Sequence, residues 1–263
     1  MPRNAPIITL TTDFGEASSY VAAMKGVILG INPAARLVDL SHAIPPQDVR
    51  HAAFFLASAI PYFPAEAWHV VVVDPGVGSD RALLYVELNG HRLLAPDNGC
   101  WTWLGDAVER VIRLTEPRYW RPTVSPTFHG RDIFAPVVAH LSRGLDPAKL
   151  GPAATTWVRL EMPAARSGPN AWHGEVIFVD HFGNLISNIR ADPAWKPPAI
   201  LTVGKRTLSR GFRWVRTYAE AKAGQLVAVV GSTGTLEVAV VQGNAAKRLR
   251  ATVGTPLAIG WAR

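Results

Sequence analysis

Hydrophobic and polar positions follow two rhythms along this chain, and the change falls near residue 150. In the first part, short apolar runs alternate with segments whose apolar residues recur every three or four positions. IITLTT (7–12) and RLVDLS (36–41) read as strands, and VVVV (70–73), apolar without alternation, reads as a strand covered on both faces. Val21, Met24, Val27, Ile28 and Ile31 share one face of a helix predicted over Ser19 to Ile31. Val49, Ala52, Ala53, Leu56 and Ile60 do the same for a helix from Asp48 to Ile60. ALLYVEL and HRLLAP flank Asn89-Gly90, a pair that favours a type I′ hairpin turn. A third helix is predicted from Asp132 to Arg143, opened by the Gly130-Arg131-Asp132 turn. This alternation predicts an α/β domain with a mainly parallel sheet over residues 1–152.

The second rhythm begins after a stretch punctuated by Gly151, Pro152, Pro163, Gly168 and Pro169, which reads as a linker. Short strand-like runs follow, HGEVIFVD, NLISNI, AILTV, QLVAVVG, TLEVAVV and TPLAIGWA, separated by turn residues. They predict a smaller all-β, barrel-like domain over residues 168–263.

Composition narrows the class. At 48% hydrophobic and 18% charged, the 263 residues suit a globular protein with a real core. The start, MPRNAPIITLTTDFG, does not read as a signal peptide, and no apolar run approaches the ~18 residues of a membrane span. Cys100 is the only cysteine, so neither an internal disulfide nor a thiolate metal cluster is expected, and a cytoplasmic location is. The net charge of +7 invites a nucleic-acid reading, but the cations are scattered. Their densest cluster, Lys247, Arg248 and Arg250, has no interleaved aromatics, so the charge is read as serving solubility and no nucleic-acid partner is expected.

Candidate chemistry lies where predicted strands end. Asp13 closes the first strand, in TTDFG, and is either a functional carboxylate, suited to paired ribose hydroxyls, or the cap of the next element. Asp74 closes VVVV and leads into PGVGSDR. That turn is a poor phosphate loop: the third glycine of Gly-x-Gly-x-x-Gly is replaced by Arg81, no Gly-Lys-Ser/Thr follows, and the next segment is strand-like. Arg81 can fold back on Asp74 or Asp80 as a plain ion pair. His129, in PTFHGRDIFAP, sits in a loop before a helix as a structural residue or an acid–base group. The histidines show no metal-binding spacing, and GSTG (231–234) is not a serine-nucleophile elbow. In VDHFGNLISNI, Asp180, Phe182 and Asn184 crowd one strand end, as a simple turn or as an adenine contact, with Phe182 stacking and Asn184 reading the base edge.

Taken in order, TTDFG with YVAAMKGVI, LSHAIPPQDVRHAAFFL, VVVVDPGVGSDR, LLAPDNG, TFHGRDIFAP, VDHFGNLISNI and GSTGTLEVAVVQGNAA resemble the adenosine-forming S-adenosylmethionine (SAM) hydrolases, or SAM hydroxide adenosyltransferases, relatives of the fluorinase and chlorinase. The resemblance covers most of the chain. It implies an N-terminal α/β domain, a C-terminal β-barrel, a homotrimer with substrate between domains of neighbouring subunits, and conversion of SAM and water to adenosine and methionine without a cofactor or metal. Carried over, Asp74, Arg81 and His129 match the water-handling triad and Asp13 the ribose-binding aspartate. Asp74 also faces the nucleoside, Asn184 and Phe182 match the adenine side, and Asp180 the ammonium of the methionine end. Ser232, Glu237 and Val240 match the segment closing the nucleoside and methionine sites. Asp74 and His129 stand where the fluorinase looks aromatic, and Gly130 where it has a serine, which favours hydrolysis over halogenation. One departure is Ser18, where the family usually has an aspartate for the methionine ammonium. Glu16 can substitute, Asp180 can act alone, or affinity for that end is reduced. The rival readings are a halogenase-like enzyme and a non-catalytic SAM or adenosine sensor.

Overall fold

The structure is a computed structural model that describes residues 5–192 and 195–261; Ala262, the last residue of the run TPLAIGWA, lies outside them. The chain divides into two compact units, Met1–Leu160 and Glu161–Arg263.

The first unit runs β1 (Ile7–Thr12), α1 (Tyr20–Ile31), β2 (Arg36–Ser41), α2 (Val49–Ala59), β3 (Trp68–Val72), β4 (Leu83–Leu88), β5 (His91–Pro96), β6 (Val108–Arg113) and α3 (Ala135–Ser142). Its six strands form one sheet in the order β2-β1-β3-β5-β4-β6. Neighbours are parallel from β2 to β5, and β4 runs against both β5 and β6. Strand alternation sorts the core. Ile8, Leu10, Val70 and Val72 face α1 and α3 through Met24, Ile28, Phe134 and Val138. Val71, Val73, Leu93 and Ala95 face α2 through Ala52 and Leu56, so both faces of the sheet are covered, as its unbroken apolar runs require. The Asp48 carboxylate accepts the His51 amide at 2.8 Å and caps α2. Asn89 and Gly90 take φ of 50° and 76°, the two positive values of a type I′ turn.

Three features depart from the sequence pattern. The third helix opens as a π-helical turn, Gly130–Phe134, before α3. The cause is Pro136, which has no N–H to close an α-helical bond onto the Asp132 carbonyl. That carbonyl accepts from the Arg121 amide at 2.9 Å instead. Strand β6, with its exposed, charged alternation, carries a weaker apolar signal than its neighbours. The proline-rich stretch is no free tether up to residue 160: Ala154 donates to the Val111 carbonyl at 2.9 Å, and the Val158 amide to Asp97 at 2.8 Å.

The second unit runs β7 (Arg166–Gly168), β8 (Ala171–Val179), β9 (Leu185–Arg190), β10 (Ile200–Val203), β11 (Arg206–Leu208), β12 (Phe212–Trp214), β13 (Leu226–Val230), β14 (Thr235–Val240), α4 (Ala245–Leu249) and β15 (Pro256–Gly260). Its nine strands form one sheet in the order β11-β10-β15-β8-β9-β14-β13-β12, with β7 on β8. Leu208 at one end of that path and Phe212 and Trp214 at the other pack on the same core as Leu185, Leu236 and Ile259. The sheet therefore curls around one core and is barrel-like. Three-residue strands β7, β11 and β12 and helix α4 are too short to show a rhythm in sequence.

Candidate active site

Strand β1 has β2 on one side and β3 on the other, so the strand order reverses there, and it is outside the carboxyl ends at such a reversal that α/β sheets bind ligands. Thr12 lies opposite Val72, so Asp13 and Asp74 both leave the sheet at the same end of these neighbouring strands. The turn after Asp74 is closed by Val77 N–H to the Asp74 carbonyl at 3.2 Å and Ser79 N–H to the Gly76 carbonyl at 3.0 Å. Gly78 has φ 82°, and a Cβ there would stand 2.8 Å from the Pro126 carbonyl oxygen. Glycine thus lets this turn lie against the loop that carries His129.

The turn returns Arg81 to Asp74. Arg81 Nε donates to Asp74 Oδ1 at 2.7 Å and Oδ2 at 2.9 Å, and Arg81 Nη2 donates to Oδ2 as well. The same Nη2 lies 3.0 Å from His129 Nδ1. The side chains of Asp74 and Arg81 are only 4% and 10% exposed, so the pair is held away from solvent screening. A guanidinium has donors only, so His129 Nδ1 must accept, and the neutral ring carries its proton on Nε2. Burial, then the Arg81 charge, push the His129 pKa below its ordinary value, while Asp74 and Asp132 pull it upward. The arrangement is a carboxylate–guanidinium–imidazole chain ending in an Nε2–H donor.

Asp132 fixes the loop beneath His129. Its fully buried carboxylate accepts from Arg131 at 2.7 and 2.8 Å, from Arg121 at 3.0 Å and from the Ser125 amide at 2.9 Å. Burial acts to raise its pKa, but Arg131, Ser125 and Arg121 outweigh it and hold the group at about 2. A Cβ on Gly130 would stand 3.1 Å from Val72 Cγ1 and 3.3 Å from Met24 Sδ, so a serine there would crowd the sheet. Phe14, Tyr20 and Phe128 pack edge to face with centroids 5.2 to 5.8 Å apart. Asp13 Oδ2 accepts the Gln47 amide at 2.8 Å, so capping occupies one of its oxygens. Ser18 donates to the Phe14 carbonyl at 3.2 Å.

The second unit holds its own polar group. Asp180 accepts from the Asn184 amide at 2.8 Å and from Asn184 Nδ2 at 2.9 Å, so these two residues lock each other. Phe182, at the tip of their turn, is 71% exposed. Glu237 on β14 is buried and accepts from the Tyr218 hydroxyl. Ser232 is exposed in the turn before β14, whereas the Val240 side chain belongs to the core. Asp132 and Tyr218 had no assigned part in the sequence reading. The acid three residues after His129 was a usable signal for the first; the second, nineteen residues from Glu237, left none.

A cavity of about 980 Å³ lies at the opposite end of the sheet, lined by Ile7, Trp68, Glu87 and Arg92. Its polar groups are engaged with one another: Tyr85 donates to Glu87 at 2.5 Å and Arg92 covers Trp68 at 4.9 Å. The Asp74–Arg81–His129 chain is therefore at the carboxyl ends of the strands and not in this cavity. Among the described residues no group of three or more His, Cys, Asp or Glu is placed to hold a metal ion, and no helix is long and apolar enough to cross a membrane.

Comparison with known proteins agrees over nearly the whole length. Two family models match: the SAM hydroxide adenosyltransferase N-terminal domain over residues 8–151 and the corresponding C-terminal domain over residues 174–258. The chain is 40% identical over 259 residues to the (R)-S-adenosyl-L-methionine hydrolase of Salinispora tropica, covering 97% of each chain. It is 40% identical over 257 residues to the protein of the same name from Thermus thermophilus, covering 94% of this chain and 96% of that one. A solved structure of a conserved Thermotoga maritima protein superposes with a TM-score of 0.88 at 31% identity, covering 96% of this chain and 99% of that one.

Proposed function

We propose that this chain, which belongs to the SAM hydroxide adenosyltransferase family, hydrolyses SAM to adenosine and methionine. The observation that carries the reading is the linked chain Asp74–Arg81–His129 at the carboxyl ends of the strands. SAM's sulfonium makes C5′ electrophilic. When an oxygen attacks in line, the O–C5′ bond forms, the C5′–S bond breaks with its electron pair, and methionine leaves as a neutral thioether. The leaving group needs no protonation, and SAM is the substrate rather than a cofactor.

What the site must supply is a strong oxygen nucleophile. Asp74 fixes the guanidinium, and Arg81 fixes the imidazole with Nε2–H outward. That donor hydrogen-bonds an oxygen and, with the Arg81 charge behind it, favours hydroxide over water, the water's proton passing to solvent. His129 serves here as an orienting donor: taking a proton at Nε2 would require the other tautomer, whose Nδ1–H would point at Arg81. Asp13 and Asp74 are read as contacts to the nucleoside, Asn184 and Phe182 to adenine, Asp180 to the ammonium, and Ser232, Glu237 and Val240 as closing groups, Val240 through its backbone. The assembly that goes with this reading is a homotrimer.

The second reading, halogenation, needs a small halide pocket. Here the charged Asp74 and the His129 ring fill the positions concerned, and a serine at Gly130 would crowd Val72 and Met24. Incubation with SAM and chloride, followed by separation of nucleosides, tests the choice. Adenosine as the sole product is expected; 5′-chloro-adenosine would support the rival, and tight SAM binding without product would support a sensor.

A further inference from the structure

The second unit has thirteen lysines and arginines against six acids, yet Asp180 and Glu237 form no ion pair with any of them among the described residues. Each is held by neutral donors. Asp180 takes both donors of Asn184, and Glu237 Oε1 takes the Tyr218 hydroxyl. Tyr218 stands on a short turn, Tyr218–Glu220, and is 42% exposed, while Glu237 is 8% exposed. The other Glu237 oxygen lies against Gly231, where a Cβ would come within 2.8 Å of Oε2. Gly231 therefore leaves Oε2 room, and Tyr218 sets the rotation of the carboxylate. Burial, then the Asp180 charge, push the Glu237 pKa up, and the Tyr218 hydrogen bond opposes them by stabilising the ionised form.

A buried carboxylate with no lysine or arginine beside it is suited to a cation brought by a ligand. SAM carries two, the sulfonium and the ammonium. We propose that Tyr218 is a positioning residue: it orients Glu237 to receive the cationic amino-acid end of SAM. The proposal rests on SAM as the substrate and adds a residue that acts through Glu237.

The test compares wild type, Tyr218→Phe, Glu237→Gln and the double variant by steady-state kinetics on SAM and by calorimetric binding of adenosine, which lacks the amino-acid end. Tyr218→Phe removes one hydroxyl from a half-exposed ring, so the fold is retained. The KM for SAM should rise roughly tenfold or more, as for loss of a hydrogen bond to a charged group. Adenosine affinity should stay within twofold of wild type, and the double variant should be no worse than Glu237→Gln alone. An unchanged KM, an equal loss of adenosine affinity, or additive effects in the double variant would overturn it. Absence of SAM turnover in the wild type would instead strike the functional reading beneath it.

Discussion

His129 shows how a single hydrogen bond restricts a residue's chemistry. Because Arg81 can only donate, Nδ1 is committed as an acceptor, and the side chain meets the nucleophile through Nε2–H. His129→Ala should lower kcat by ~10²–10³-fold with little change in KM, as for loss of one oriented donor, measured as adenosine release. A wild-type kcat would remove His129 from the reaction. At this scale the sequence was informative about residue types at strand ends and silent about their pairing. Asp74, Arg81 and His129 each allowed an ordinary structural reading, because seven and forty-eight residues separate Arg81 from its partners. The positive φ of Gly78 and its close approach to Pro126 let the two loops lie together, and no local sequence pattern announces that approach. Tyr218 was not legible at all: its contact with Glu237 crosses from a turn to a strand, and no local pattern encodes it.

Among elements, the π-helical turn Gly130–Phe134 and its buried Asp132 form the support on which His129 stands. The helical period predicted a plain helix, and the proline that prevents it was visible, but the alternative partner of the freed carbonyl, Arg121, was not. Asp132→Asn weakens the charge-assisted hydrogen bonds from Arg131, Arg121 and the Ser125 amide, which should lower the midpoint of thermal unfolding. It also removes a charge that pulls the His129 pKa upward, so that pKa falls further and the acid limb of kcat/KM should move to lower pH. A shift to higher pH would contradict the assignment. The strands β1, β3 and β5 hold a second titration. His69, fully buried and bonded to Thr9 at 2.8 Å, is pushed down to about 3, first by burial and then by His91. Its folded pKa lies below the unfolded value near 6.5, so the unfolded chain takes up the proton first. Stability is then complete above pH ~6.5 and falls as pH drops toward 3, by on the order of 4 kcal/mol. Thermal melts between pH 7 and 4 should show this loss, and His69→Leu should flatten it; an equally steep loss in the variant would refute the assignment.

For the whole molecule, the two rhythms of the sequence correspond to two units of different class, an α/β unit and a barrel-like β unit. The switch from helical to two-residue period was legible because it depends on burial along each strand. Where one unit ends was less so: residues 152–160 have the composition of a linker, yet strand-like hydrogen bonds tie them to β6. Charge divides as the sequence totals do not suggest. Basic and acidic residues are equal in number in the first unit, so the full +7 belongs to the second. Assembly is a separate expectation. Light scattering coupled to size exclusion should give a mass near three times the 28.5 kDa of one chain, and a monomer would contradict the trimer.

Isotope labelling tests direct attack by water at C5′ more directly than any substitution. In ¹⁸O-water, wild-type enzyme and SAM should yield adenosine carrying one ¹⁸O at the 5′ oxygen and unlabelled methionine. Unlabelled adenosine formed at the full enzymatic rate would contradict it.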